Sequence, residues 1–264
     1  MVIQVLVATM NQKDHSLLEK MNINSNAIIG NQCDYNSIEK FKYQDYDIVY
    51  LNFAEKGVGL NRNNSLMRAT GDICLFADDD MIYENDYVQK VEKAFEENPK
   101  ADILIFNLNE KNPRRYIIKK KNKINYFNYM RYGTARIAVK LEKIKENAIY
   151  FNQCFGGGTE HCHGEDNLFL TECLKKKLKI YAIPEYIATL TEERESTWEN
   201  TSLDKYLNDQ GFLYRKISPR FFRMLCLQNA IKRRKNYGIP IRTAYSKMIL
   251  GSKNIRGTKI WNKK

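Results

Sequence analysis

Over its first hundred residues the chain alternates short apolar runs with stretches in which apolar positions recur every three or four residues. Val2–Thr9 has the composition of a buried strand. His15–Met21 places Leu17, Leu18 and Met21 on one helical face, with Asp14 near its start, and Ala27–Ile29 and Asp47–Leu51 read as the next strands. Asn61–Thr70 is predicted as a helix that packs through Leu60, Leu66, Met67 and Ala69 and stops at Gly71. Ile73–Ala77 is a continuous apolar strand running into Asp78-Asp79-Asp80; Tyr87–Phe95 is an amphipathic helix ended by Pro99, and Asp102–Phe106 a further strand. Strands alternating with helices predict an α/β fold, a Rossmann-like mostly parallel sheet flanked by helices.

From Asn107 to Asn128 the sequence is polar, basic and aromatic without a periodic pattern, compatible with a ribbon or a mobile insertion. Order resumes at Ala135–Val139 and then Phe155–Gly158. A helix from about Glu165 to Lys177 precedes strands at Leu178–Ala182 and Tyr186–Leu190. Beyond Trp198 the pattern turns helical: Leu203–Lys216, Pro219–Lys235 and Pro240–Leu250, with Pro219 and Pro240 as first-turn residues and Gly251 as a stop. The expected organisation is a catalytic domain over 1–200 and a helical extension over 201–264.

Charge sharpens that division. The chain carries a net +12, yet residues 201–264 hold 16 basic and 2 acidic side chains, so the excess lies in the last quarter. A second basic cluster comprises Lys111, Arg114, Arg115, Lys119, Lys120, Lys121 and Lys123. A nucleic-acid binder with evenly spread basicity would not look like this. The six cysteines show no framework spacing, which fits reduced thiols. The opening segment lacks a basic leader and a cleavage site, and no apolar run approaches the roughly 20 residues of a membrane span. A cytoplasmic protein, soluble or peripheral on the inner face of the cell membrane, is expected.

In an open parallel sheet ligands bind beyond the carboxyl ends of strands. Three aspartates after such a strand suit Mg2+ or Mn2+ on a diphosphate, because that ion needs one or two carboxylates, with phosphate and water completing its shell. The triplet alone would be weak, but GVGLNRNNSLMRATGD precedes it at Gly57–Asp72 and FGGGTEHCHGEDNLFL follows at Phe155–Leu170. With these segments, in this order and spacing, the chain resembles glycosyltransferase family 2, of the GT-A fold. The likeness runs from Val2 to about Leu213 through Glu195-Ser196-Thr197-Trp198 and Asp209-Gln210-Gly211, as in bacterial polysaccharide-assembly members.

The resemblance implies a nucleotide-sugar donor, with Asp80 as metal ligand, Asp78 or Asp79 contacting ribose or supporting the site, and Arg62 binding the nucleotide. Thr9 and Asn11 match where uridine is received. Members commonly carry an acidic pair after the second strand to read the uracil edge. Here Asn31-Gln32 stands in that place, and an amide can donate as well as accept. Asp166 matches the family's general base, in a first helical turn whose partial positive charge favours its ionised form, with Glu165 orienting the acceptor or capping the helix. The implied chemistry is a single displacement with inversion. The family's processive synthases have a Gln-x-x-Arg-Trp motif and membrane helices; this chain has neither, so addition of one sugar to a glycan or lipid-linked acceptor is expected.

Around that frame, Gly156, Gly157 and Gly158 give backbone room for a sugar or a loop. His161 and His163 are candidates for contact with acceptor or diphosphate, and Trp198 for a stacking platform or packing anchor. His161, Cys162 and His163 invite a zinc site with Cys154 or Cys173, but no paired spacing supports it and adjacent residues seldom converge on one ion. A sugar nucleotidyltransferase is a competing reading; it usually needs a glycine-rich basic loop near the N-terminus, which Ala8-Thr9-Met10-Asn11 is not. A nucleic-acid module using the basic tail would leave the acidic site idle. The tail's apolar stripes, Phe221, Phe222, Leu225 and Ile231 and then Ile241, Ala244, Tyr245, Met248 and Ile249, suit packing onto the catalytic domain or contact with an anionic membrane.

Overall fold

The structure, a computed structural model, describes residues 1–113, 115–191 and 201–253. Two compact units emerge from the packing. One comprises Met1–Cys154 and the chain from Glu165 through the last strand; the other comprises Phe155–Gly164 and the described residues from Thr201 onward.

The first unit follows the predicted alternation. Its elements are β1 (Ile3–Met10), α1 (Leu17–Lys20), β2 (Asn26–Gln32), β3 (Ser37–Tyr43), β4 (Tyr46–Phe53), α2 (Val58–Arg68), β5 (Ile73–Asp78), β6 (Met81–Tyr83), α3 (Tyr87–Glu97), β7 (Ile103–Asn109), β8 (Asn122–Lys123), β9 (Ile137–Lys140), α4 (Leu141–Glu146), α5 (Glu165–Lys175) and β10 (Ile180–Leu190). They build a ten-stranded sheet in the order β3-β4-β2-β1-β5-β9-β7-β10-β6, with β8 also on β10. Strands β4, β2, β1 and β5 run parallel, as do β7 and β10, whereas β9 is antiparallel to both its neighbours.

Period-two alternation explains how both faces are covered. Along β1 and β5, Ile3, Val5, Val7, Ile73, Leu75 and Ala77 enter one apolar cluster with Leu18 of α1 and Val91 and Phe95 of α3. Leu6, Cys74 and Phe76 enter the opposite cluster with Leu66 of α2, Ile144 of α4 and Phe169 and Cys173 of α5. A sheet apolar on both faces must be sandwiched between helices, which is the α/β architecture.

Several boundaries differ from expectation for identifiable reasons. The first helix shrinks to the single turn Leu17–Lys20. Helix α2 begins at Val58, before Asn61, and ends at Arg68 because Ala69 is already extended. The two strands expected at 178–190 are one, β10, whose register shifts between Ala182 and Tyr186; Pro184 lies in that interval and has no N–H for the ladder. In Phe155–Gly158 the order takes the form of an isolated bridge from Phe155 to His161. The segment 107–128 is tied down where Asn107 exchanges two 2.9 Å hydrogen bonds with the Ile118 backbone.

The second unit contains α6 (Leu203–Ile217), α7 (Phe222–Lys232), α8 (Arg234–Tyr237) and α9 (Ile241–Lys253). Ser202 caps α6 by accepting from the Lys205 amide. The helix expected over Pro219–Lys235 starts only at Phe222 and breaks at Arg233. Gly251, expected as a stop, lies inside α9, where a side chain would collide with the Asn208 backbone; Gly211 of α6 likewise lies against the Met248 carbonyl. Two glycines thus allow α6 and α9 to touch backbone to backbone.

Candidate active site

The site lies at the carboxyl ends of adjacent parallel strands. Ladder register sets Ala8 beside Asp78, Thr9 beside Asn31, and Asn31 beside Asn52. On its other side β5 pairs with β9 only over Ile73–Leu75, so its last residues have no strand partner there. Against that end stands the 3-10 turn Thr134–Arg136 that leads into β9.

Arg62 organises the centre. It is 4% exposed. Its Nη2 donates to Asp78 Oδ1 at 2.6 Å and its Nη1 to Glu165 Oε1 at 3.0 Å, with a longer bond to Thr134 Oγ1 at 3.4 Å. Burial works to lower the Arg62 pKa, but the two carboxylates outweigh it and hold it above its ordinary value. One guanidinium therefore ties the aspartate triplet after β5 to the Glu165-Asp166 pair that begins α5. Arg62 Nε and Glu165 Oε2 are buried without a hydrogen-bond partner among the described residues.

The three aspartates differ. Asp78 holds Arg62 and has a partly exposed side chain. Asp79 Oδ2 accepts from the Thr9 hydroxyl at 2.5 Å, and Thr9 in turn accepts from Gln12 Nε2 at 2.8 Å. Asp80 is raised to about 6 by burial and by the neighbouring Asp78 and Asp79, Arg115 opposing. Repulsion among carboxylates is what a bound cation would relieve, and Asp80 is the member placed to offer oxygens to one.

Asp166 is partly exposed; its Oδ1 accepts from the Asn167 amide at 2.6 Å. Burial first, and then Glu165, raise its pKa to about 7. Gly164, just before the pair, has φ +107°, and a side chain there would strike Leu213. Glycine thus satisfies both the left-handed backbone and the close packing that deliver the chain into α5.

Asn31 and Arg62, expected to meet the nucleotide directly, have their side chains engaged inside the protein. Asn31 is fully buried; it exchanges 3.0 Å bonds with the Gln12 backbone and donates to Asn52 Oδ1 at 2.7 Å. Gln32 accepts from the Gly57 amide. The amide pair therefore shapes the loop after β1, where Asn11 is exposed with φ 56°. Asn52, not anticipated as part of this network, carries no sequence signal beyond its place at the end of a predicted strand.

The remaining candidates fall in the second unit. Gly157 is half-buried and Gly158 exposed, in the 155–164 loop. His161 stacks on Phe212 at 4.3 Å and its Nδ1 lies 2.9 Å from Asp209 Oδ1. Buried His163 bonds Gln210 Oε1 through Nε2 at 3.0 Å and lies 3.2 Å from Cys162 Sγ through Nδ1. Cys162, His163 and Asp209 have ligand atoms within 4.8 Å of one another, the one such group among the described residues. They do not read as a metal centre, because Asp209 already accepts from His161, Lys205 and the Cys162 amide. Although burial acts to raise it, these partners hold the Asp209 carboxyl well below the usual range. Cys173, offered as a fourth ligand, is packed in the core of the first unit, and Trp198 lies outside the described residues.

Comparison with known proteins shows what this chain is similar to. Residues 31–153 match the model for Glycosyl transferase family 2. That stretch is similar to glycosyltransferase family 2. The chain's fold is that of the S. aureus TarS crystal structures. The 1–349 fragment in complex with UDP-GlcNAc aligns with TM-score 0.63 at 13% identity, covering 97% of this chain and 92% of that one. The same fragment with UDP gives TM-score 0.60 at 15% identity, covering 97% and 91%. The longer TarS structure gives TM-score 0.62 at 15% identity, covering 96% of this chain and 54% of that chain. By sequence, no curated protein matches. The α/β sheet expected from the hydrophobic pattern is thus the GT-A fold.

Proposed function

We propose that this protein is a family 2 glycosyltransferase that moves a single sugar from a nucleotide-diphosphate sugar, uridine-linked, to a hydroxyl of a bacterial glycan or glycolipid, with inversion. The observation that carries the reading is the Arg62 clamp, because it joins the acidic end of β5 to the start of α5 and so brings a cation site and a base into one cleft. TarS was solved with UDP-GlcNAc and with UDP, which supports a uridine donor here.

Asp166 is the general base. A sugar hydroxyl is too weakly acidic to ionise beforehand, so the base must accept its proton as the new bond forms, and a carboxylate with a pKa raised to about 7 is matched to work near neutrality. Glu165, held by Arg62, fixes the first turn of α5 and with it the placement of Asp166. Asp80, with phosphate oxygens and water, would hold Mn2+ or Mg2+. The ion would supply charge stabilisation to the departing diphosphate. Asp79 and Thr9 form the floor beside it.

No helix among the described residues is long and apolar enough to cross a membrane. Helix α7 nonetheless turns an apolar strip outward: Phe221, Met224, Leu227 and Ile231 are 45–61% exposed, beside Arg220, Arg223, Lys232 and Lys235. An anionic bilayer suits that face, since basic residues near the surface contribute about 1 kcal/mol each and the apolar side chains add burial. This strip replaces the stripe expected from sequence, in which Phe222 and Leu225 stand in place of Met224 and Leu227. Liposome flotation tests it: protein that ignores anionic vesicles at low salt has no such anchor.

For the chemistry, Asp80→Ala should abolish metal-dependent donor binding while the fold survives, and Asp166→Asn should keep donor affinity but lose roughly 10²–10⁴ in transfer. Near-normal turnover by Asp80→Ala removes the metal assignment, and equal loss of affinity and transfer by Asp166→Asn removes the base.

A further inference from the structure

The segment without periodicity in the sequence, with its basic cluster, forms a second recess in the sheet unit. The cleft, of about 80 Å³, has among its lining residues Asn107 and Asn109 at the end of β7, Glu110, Arg115 and Tyr116, and Arg136. Arg136 is only 2% exposed. Its guanidinium donates to the Phe106 carbonyl at 2.7 Å, the Tyr116 carbonyl at 2.8 Å and Asn107 Oδ1 at 2.9 Å, all neutral acceptors. Among the described residues no carboxylate lies within ion-pair distance of it, and Glu110, which also lines the cleft, acts on it only from further off, so this cation is buried without a direct counter-charge. Burial accordingly lowers its pKa, to about 10.

An uncompensated buried charge is costly, and proteins rarely keep one without a use for it. Arg62 shows the contrast, since its burial is matched by two carboxylates. Arg115 stands in the same cleft, half-exposed, with Nη1 on Glu110 Oε1 at 3.1 Å. Asn109 of the cleft pairs with Thr189 of β10, which on its other side pairs with Ile82 of β6, two residues beyond Asp80, so the cleft lies beside the proposed reaction centre. The planar forks of two arginines, with tyrosine and asparagine side chains, suit an oxyanion.

We propose that this cleft is a subsite for an anionic group, a phosphate or carboxylate, carried by the acceptor. The inference rests on the proposed transferase reading and deepens it by assigning the acceptor a negative charge next to the hydroxyl that is glycosylated. Glu110 competes for Arg115 and is displaced from it when the oxyanion enters.

The test is calorimetric titration of inorganic phosphate, and of acetate as the carboxylate probe, into the full chain saturated with UDP and Mg2+, at constant ionic strength. Saturable binding of at least one probe is expected. Arg115→Ala should weaken it about tenfold, and Arg136→Lys, which keeps the charge but loses the fork, by a similar factor. Glu110→Gln should tighten it, because the competing carboxylate is gone. If Arg136→Lys fails to fold, the Arg115 and Glu110 variants still decide. No saturable binding of either probe, or equal binding by wild type, Arg115→Ala and Glu110→Gln, overturns the subsite. Competition between UDP and phosphate for one site would assign the cleft to the donor diphosphate and also overturn it. A chain that does not bind UDP at all refutes the donor reading instead, so the two failures are distinguishable.

Discussion

Replacing Arg62 by methionine removes the charge while keeping much of the volume. Both members of the Arg62–Glu165 pair are buried, with side chains 5% and 7% exposed. Removing one partner of such a pair leaves a buried carboxylate with no compensation, a loss of about 3–5 kcal/mol. Asp78 adds little to that figure, because its carboxylate is 41% exposed and water takes over from the guanidinium. The loss should therefore belong to Glu165. Adding Glu165→Gln to Arg62→Met should restore most of it, since a neutral amide does not need the cation, and a coupling of about 2 kcal/mol or more between the two substitutions is expected. Urea denaturation of the single and double variants, followed by far-UV circular dichroism, measures this. A loss below about 1 kcal/mol for Arg62→Met, or additive effects of the two substitutions, would mean that Arg62 does not bear the clamp between β5 and α5.

Two further outcomes follow from the site and the helices. Because Asp166 must be ionised to accept a proton and its pKa is raised to about 7, transfer should rise with pH through about 7 and then level off. Initial rates at saturating donor check this, and a flat profile from pH 5 to 8 would exclude Asp166 as the group that limits the rate. The same shift bears on stability with the opposite slope: the folded state holds the Asp166 proton above the ordinary value of 3.8, so this contribution is full below about 4 and is lost as pH rises through about 7. Wild type should therefore lose stability relative to Asp166→Asn across that window, read by urea titration at each pH. Gly211→Ala forces a methyl group against the Met248 carbonyl, and should cost about 1–3 kcal/mol, visible as a lowered melting temperature; an unchanged melting temperature would show that α6 and α9 separate freely.

Much of this protein is legible in its residue pattern alone. Apolar runs of four to eight residues alternating with amphipathic stretches determine an α/β sheet, because strand and helix periods bury different patterns and the chain has no other way to cover both faces of Val5–Leu6–Val7 or Cys74–Leu75–Phe76. Asp78, Asp79 and Asp80 are recognisable because a carboxylate cluster after a continuous apolar strand can only lie at a strand's carboxyl end. The basic tail and its helices are equally plain. Tertiary structure alone decides what those residues do to one another. Nothing local distinguishes Arg62, buried between Asp78 and a Glu165 more than a hundred positions away, from a surface arginine. Nor does the sequence tell Asn31, sealed beneath a loop, from an amide that faces a base, or show that Gly251 sits inside a helix, against Asn208. Periodicity reports which side of an element is apolar; only the packing of distant elements determines which buried charges find partners, and Arg136, among the described residues, finds neutral acceptors but no carboxylate within ion-pair distance.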